Sequence, residues 1–241
     1  KEYVKIFNGY RQAYGIADWT NATVDPESGK KKPVYRWTYE EFTDQIYTDH
    51  LTGNKSVGIQ PTNENGDAKF GVIDIDPKKY EDYDKQFYLQ TIQEYKLPLV
   101  PIESKSGGLH LYLFMAEFVP STLIVSFLSN LLPIFNLKPD CEIFPKQTQL
   151  TKDPETGILK PGQFINLPYF EGAKRKALNI DGTFFTLEQF IKVAEANLTT
   201  AEDLKSITDD MEVKSMEGVD EEFIEGPPCL ALLSKITNKT G

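Results

Sequence analysis

The stretch FGVIDIDPKKY, residues 70 to 80, sets two aspartates, Asp74 and Asp76, into an otherwise apolar strand. Neighbouring carboxylates repel and resist desolvation, so a folded chain keeps such a pair only where cations neutralise it or the strand end meets water. Any fold for this chain must supply one of those two surroundings. At i and i+2 the two side chains leave one face of the strand, roughly 7 Å apart along it. Such a pair suits two divalent cations about 3.5–4 Å apart, one activating an attacking oxygen and the other steadying a leaving group. Hard ions such as Mg²⁺ and Mn²⁺ prefer oxygen ligands of this kind. Taken alone, the motif also reads as a strand ending in solvated, turn-capping aspartates before Pro77.

Two further stretches bear on the choice. In ESKSGGLHLYLF (103–114), Ser104, Lys105, Ser106, Gly107 and Gly108 form a small, hydroxyl-bearing turn whose backbone amides suit phosphate oxygens. His110 follows on a strand, sharing a face with Tyr112 and Phe114 rather than with the leucines. An ordinary hairpin turn followed by a satisfied interior histidine is the competing reading. In DCEIFPKQTQL (140–150), Glu142 puts a charge inside a short apolar run, and Lys146 follows in a turn begun by Pro145. Glu142 is the favoured third acid of the cluster and Asp140, after Pro139, its competitor.

Periodicity and punctuation give the order of elements. Residues 3–14 read as a short amphipathic helix and DPESGKKKP (25–33) as a loop; Thr38 with Glu41 reads as the capping box of a helix running to about His50. Strands are expected at 56–60, 70–76, 99–103 and 109–115, then at CEIF and in GQFINL; helices at about 82–95, at 121–132, and from Thr186 with Gln189 to about 197. From Phe70 the order is strand, helix, strand, strand, helix, strand. That is the split β-α-β arrangement of ferredoxin-like and RRM-type sheets within an α/β fold.

A formal charge of −10 spread evenly would repel a nucleic acid, but here it is unevenly spread. Ten acids against Lys205 and Lys214 lie between Glu202 and Glu225, a net of −8 that leaves −2 for the remainder. Basic clusters at 30–32, 78–79 and 174–176 leave room for local positive surface, although solvated loop lysines are the simpler account of each cluster taken alone. Two distant cysteines, Cys141 and Cys229, exclude a cysteine-rich zinc site and argue for a reducing, cytoplasmic setting. No apolar run reaches the roughly 20 residues of a membrane span. A start at Lys1, without methionine or leader, is expected of a fragment of a longer protein.

The series GVIDID, SKSGGLHLYLF, EIFPKQ and GQFINLPYF resembles the archaeo-eukaryotic primase superfamily, specifically the primase-polymerases of phages, plasmids and mobile elements. The resemblance covers about residues 56 to 170; YRQAYG and DHLTGNKSVGIQP look like the leader region of these proteins. It implies an RRM-like catalytic sheet packed with an N-terminal α/β portion, performing two-metal nucleotidyl transfer with Mg²⁺ or Mn²⁺. It further implies metal binding by Asp74, Asp76 and Glu142, and nucleoside triphosphate contacts from Lys105, Ser106, Gly107, Gly108, His110 and Lys146. Single-stranded DNA template and primer are the implied partners, with Lys174, Arg175 and Lys176 as candidate backbone contacts. The third acid is Glu rather than the more widespread Asp, and no zinc module is present. The domain reading is a catalytic unit at 1–200 (N-terminal portion to about 65, core from about 66), an acidic linker at 201–225, and at 226–241 the start of a helical module. GPPC there resembles the segment after the polymerase core in phage primase-helicases; the expected location is cytoplasmic, in a bacterial host if the protein is phage- or plasmid-encoded. Two alternatives stand beside it. An RRM-type RNA-binding module would show aromatics where this strand has acids, and a rolling-circle nuclease would need a histidine pair that His50 and His110 do not make.

Overall fold

The computed structural model describes residues 1–24, 26, 29, 31–157 and 159–209. In chain order the elements are α1 (Glu2–Ile6), β1 (Tyr14–Val24), β2 (Lys31–Thr38), α2 (Asp44–Leu51), β3 (Val57–Ile59), β4 (Asp67–Ile75), α3 (Lys85–Glu94), β5 (Leu99–Glu103) and β6 (Leu109–Pro120). There follow α4 (Ser121–Leu131), β7 (Glu142–Phe144), β8 (Thr151–Lys152), β9 (Leu159–Lys160), β10 (Ile165–Asn166), α5 (Leu187–Ala196) and β11 (Leu198–Thr199). Residues 1–200 form one compact unit, and the described residues 201–209 belong to a second.

The fold is α/β with mainly antiparallel sheets. In the larger one β4 runs between β6 and β7, β5 pairs with the first part of β6, and β11 pairs parallel with β6 at Phe114 and Met115. The order β5, β6, β4, β7 is that of a split β-α-β sheet. Gly71 lets α4 lie close on this sheet: a Cβ there would fall on the Ile124 side chain and 2.8 Å from Leu128 Cδ1. On the opposite face, Phe70, Val72, Tyr112 and Phe114 are fully buried and share one core with Phe7, Tyr47, Val57, Ile59, Leu167 and Phe190. Phe7, just past α1, packs edge-on against Phe70, Tyr112 and Phe114 at centroid distances of 5.6, 5.7 and 5.5 Å. The aromatics an RRM-type module would offer to RNA are thus spent on the core. At the far end of that face, Asp74 reaches a cleft.

The second sheet has the order β10, β3, β1, β2. It recruits β10 from far down the chain because Gly15 and Gly58 leave a bare patch where the Phe164 ring lies. Trp37 meets that ring edge-on at 5.0 Å.

Three expectations for the N-terminal portion are corrected. The helix at 3–14 ends at Ile6: Gly9 presses on the backbone of Gln60 and Pro61, and Tyr10 N–H donates to Gln60 O, so the chain runs extended there. The loop at 25–33 is shorter, because β1 and β2 form a hairpin that begins its return at Lys31. Thr38 caps no helix; it ends β2 opposite Tyr14, and the helix starts six residues later at Asp44 after Thr43. The capping box at Thr186 and Gln189 forms in both directions, at 3.2 and 2.8 Å. Of the expected acidic linker, residues 201–209 are helical, with Glu202 and Asp203 in the first turn, where carboxylates suit the helix N-terminus. The rest of it and the expected module at 226–241 lie outside the described residues. No helix among the described residues is long and apolar enough to cross a membrane.

Candidate active site

Register decides what β4 brings together. Asp74 pairs with His110 of β6 on one side and with Glu142 of β7 on the other. Directly opposed residues on one sheet face hold their Cβ atoms about 4.5–5.5 Å apart, so an acid, a histidine and a second acid form a row across three strands. His110 Nε2 lies 3.3 Å from Asp74 Oδ1. Asp76 lies one residue past the strand and caps a single 3₁₀ turn, its Oδ1 accepting from Lys78 N–H at 3.0 Å. All four residues line one open cleft of about 960 Å³. Asp140 is exposed in the turn before β7 and is not part of the cleft wall.

The acids are already matched with cations. Glu142 receives Lys146 Nζ on Oε2 at 2.6 Å and Lys79 Nζ on Oε1 at 3.2 Å. The Lys146 hydrogen bond, with help from Lys79 and against partial burial, holds its carboxyl below the ordinary glutamate pKa. Among the described residues no three His, Cys, Asp or Glu side chains converge closely enough to grip an ion as they stand. The donor chemistry nevertheless fits a hard divalent ion: three carboxylates border the cleft, and the ammonium groups on Glu142 and the amide on Asp76 are exchangeable partners.

The turn between β5 and β6 forms the cleft's other lip. Ser104 N–H donates to Gly108 O at 2.9 Å and Gly107 N–H to Ser104 O at 3.1 Å, so two of the amides expected to meet phosphate are spent closing the turn. What the turn offers instead is hydroxyls: Ser104 and Ser106 both line the cleft, their Oγ atoms 3.0 Å apart. Gly107 takes a left-handed backbone (φ 85°). Gly108 has no room for a side chain, since a Cβ would fall on the Ile75 carbonyl oxygen. Lys105 lines the cleft too, with its ammonium 4.7 Å over the Trp19 ring, where burial and then the Arg175 charge lower its pKa.

Of the basic run, Lys174 is tied to Glu171 at 2.6 Å, whereas Arg175 reaches the cleft wall. Residues 176–178 run along the outer edge of β5, Glu103 N–H to Lys176 O and Leu178 N–H to Pro101 O both at 2.9 Å, which brings Arg175 to the end of the sheet. Sequence reasoning missed Asn166, Lys79, Lys31 and Lys32 as cleft residues. Asn166 had a signal: a polar side chain inside the apolar run FINL, the same anomaly that marks Asp74. His50 is remote from the site. Its Nε2 is 2.9 Å from Pro168 O, its Nδ1 accepts from Val57 N–H, and burial pushes its pKa down to about 4.

No curated protein matches the sequence. Among solved structures, the crystal structure of primase RepB' is similar at a TM-score of 0.37 and 10% identity, covering 93% of this chain and 67% of that one. The family described as the TOTE conflict system, archaeo-eukaryotic primase domain, matches residues 5–210. That match takes in every strand described, every cleft residue named above and most of the chain, and the protein belongs to that family of archaeo-eukaryotic primases.

Proposed function

We propose that this domain is a DNA-dependent primase-polymerase that synthesises primers, extends DNA, or does both, by two-metal nucleotidyl transfer at the Asp74 cleft. Family membership gives the coarser class, a primase-type nucleotidyltransferase. The observation that carries the finer reading is the row His110, Asp74, Glu142 across three strands at an open cleft, with Asp76 beside it and two serine hydroxyls opposite.

In this reading Asp74, Asp76 and Glu142 hold two Mg²⁺ or Mn²⁺ ions. When bound, these supply activation of the attacking 3′ hydroxyl and neutralisation of the departing pyrophosphate. His110, Ser104 and Ser106 orient the triphosphate tail of a nucleoside triphosphate, and Lys79 and Lys146, released from Glu142, supply countercharge to it. Lys105 is an added cation on the same lip, and the backbones of Gly107 and Gly108 set the turn's shape. Lys174, Arg175 and Lys176 face the DNA backbone. The chain supplies no covalent nucleophile in this scheme; position and electrostatics carry the rate.

Asp74→Ala tests the reading in a primer-extension assay with each metal. Loss of extension by about two orders of magnitude or more, with an unchanged melting temperature, is the expected result. Near-parental extension sinks it. A de novo synthesis assay on single-stranded DNA with ribonucleotides and deoxyribonucleotides in turn separates priming from extension.

A further inference from the structure

Adjoining the cleft, and sharing Tyr35, Ser104, Lys105, Asn166 and Arg175 with it, lies a second pocket of about 620 Å³. Its walls hold aromatic rings from distant parts of the chain: Trp19 on β1, Tyr35 on β2, and Phe170 and Phe184 before α5. Trp19, Tyr35 and Phe184 are each about half exposed (52%, 49% and 47%). Large rings exposed together around one hollow form a patch, unlike the scattered single exposures ordinary on a surface.

Cations sit among these rings. Lys105 lies over Trp19, Lys176 Nζ is 5.8 Å from the Phe184 centroid, and Arg175 Cζ is 5.8 Å from that of Phe170. The one acid in the lining, Glu103, is matched by Lys85 at 2.6 Å. In a chain of net charge −10 this is a local reversal of sign.

Arg175 is the informative member. Burial pushes its pKa down, with tyrosines rather than carboxylates opposing that effect. Among the described residues it forms no ion pair with an acid, its Nε is buried without a hydrogen-bond partner, and Nη2 makes one long contact to Ser56 Oγ at 3.5 Å. A largely buried guanidinium left so is costly, and its planar fork matches phosphate. Arg175 lines both the carboxylate cleft and the aromatic pocket, so an anion on it sits between them.

We propose that the aromatic pocket holds one nucleotide unit of a single-stranded nucleic acid, its base stacked on Trp19 and its phosphate on Arg175. The strand then passes over the Ser104–Gly108 turn to the carboxylates. Aromatic platforms with interleaved cations are what such strands bind, largely without regard to sequence. The proposal rests on the nucleotidyl-transfer reading for its ligand class and adds the path of the strand.

The test is fluorescence anisotropy of a labelled twelve-residue thymidine oligonucleotide on the whole chain, in EDTA and across a salt series. Arg175→Gln is expected to weaken binding about tenfold and to flatten the salt slope by about 0.7. Trp19→Ala, at an exposed position, should weaken it by a similar factor, and the protein's tryptophan emission should be quenched by the oligonucleotide in the parent but not in Trp19→Phe. Parental affinity in both Arg175→Gln and Trp19→Ala overturns the proposal. So does displacement of the oligonucleotide by thymidine triphosphate at comparable concentration, which assigns the pocket to a free nucleotide. Because binding is read without metal, a strand site that fails shows here, whereas a failed catalytic reading shows as a parent protein that binds the strand and extends nothing.

Discussion

Gly108 joins the serine-bearing turn to the end of the acid-bearing strand, and replacing it by alanine is a sharp test of how tightly that joint is set. The new Cβ would fall on the Ile75 carbonyl oxygen and 2.7 Å from Pro77 Cδ, both next to Asp76. Ordinary carbon contacts need about 3.5–4.0 Å, so the turn and the strand end must part by about 1 Å. Both obstacles are backbone or a proline ring, which yield poorly, and overpacking of this kind costs about 1–3 kcal/mol of stability. A shift of about 1 Å at reacting groups costs about a hundredfold in rate. Gly108→Ala should therefore lower the melting temperature by several degrees and primer extension by about a hundredfold, with a larger effect on kcat than on KM. Gly107→Ala is the comparison: its Cβ meets nothing within 4 Å, so only the left-handed backbone is penalised, by about 1–2 kcal/mol. If Gly108→Ala melts and extends like the parent, the turn does not hold Asp76, and the cleft's assembly has been misjudged.

Two further outcomes follow from the structure. His50 is buried neutral with a pKa near 4 against 6.5 for a free imidazole, so the unfolded chain takes up the proton first as pH falls. Stability is then full above pH 6.5 and declines by on the order of 3 kcal/mol toward pH 4, read as a falling urea midpoint. His50→Gln should flatten that slope between pH 7 and 5, and an equal slope in the variant refutes the assignment. Thr186→Ala removes a reciprocal cap and should cost about 1 kcal/mol, whereas Thr38→Ala, at a strand end, should stay within about 0.5 kcal/mol; equal melting shifts would contradict the helix starts described here.

The larger sheet was legible because its strands are apolar runs interrupted at single positions by a residue that does not belong there. Asp74, His110 and Glu142 each stand out in this way, and the register turns three separate anomalies into one row. The N-terminal hairpin was illegible for the opposite reason. Much of β1 and β2 is exposed, so neither strand shows clean alternation, and lysines at 31 and 32 mimic a loop. The apparent capping box at Thr38 is a local signal overridden by pairing with Tyr14, while the real N-cap, Thr43, makes no side-chain cap hydrogen bond. Arg175 could be read as basic but not as a cleft residue, because its position depends on residues 176–178 lying along β5, a contact some seventy residues distant in sequence.

The borrowing of β10 by the second sheet makes the N-terminal portion inseparable from the later chain. A product ending near residue 65 would leave Gly15 and Gly58 without the Phe164 lid and β3 with an open edge, inviting strand addition from other molecules. Residues beyond 160 must therefore emerge during synthesis before the earliest strands can settle.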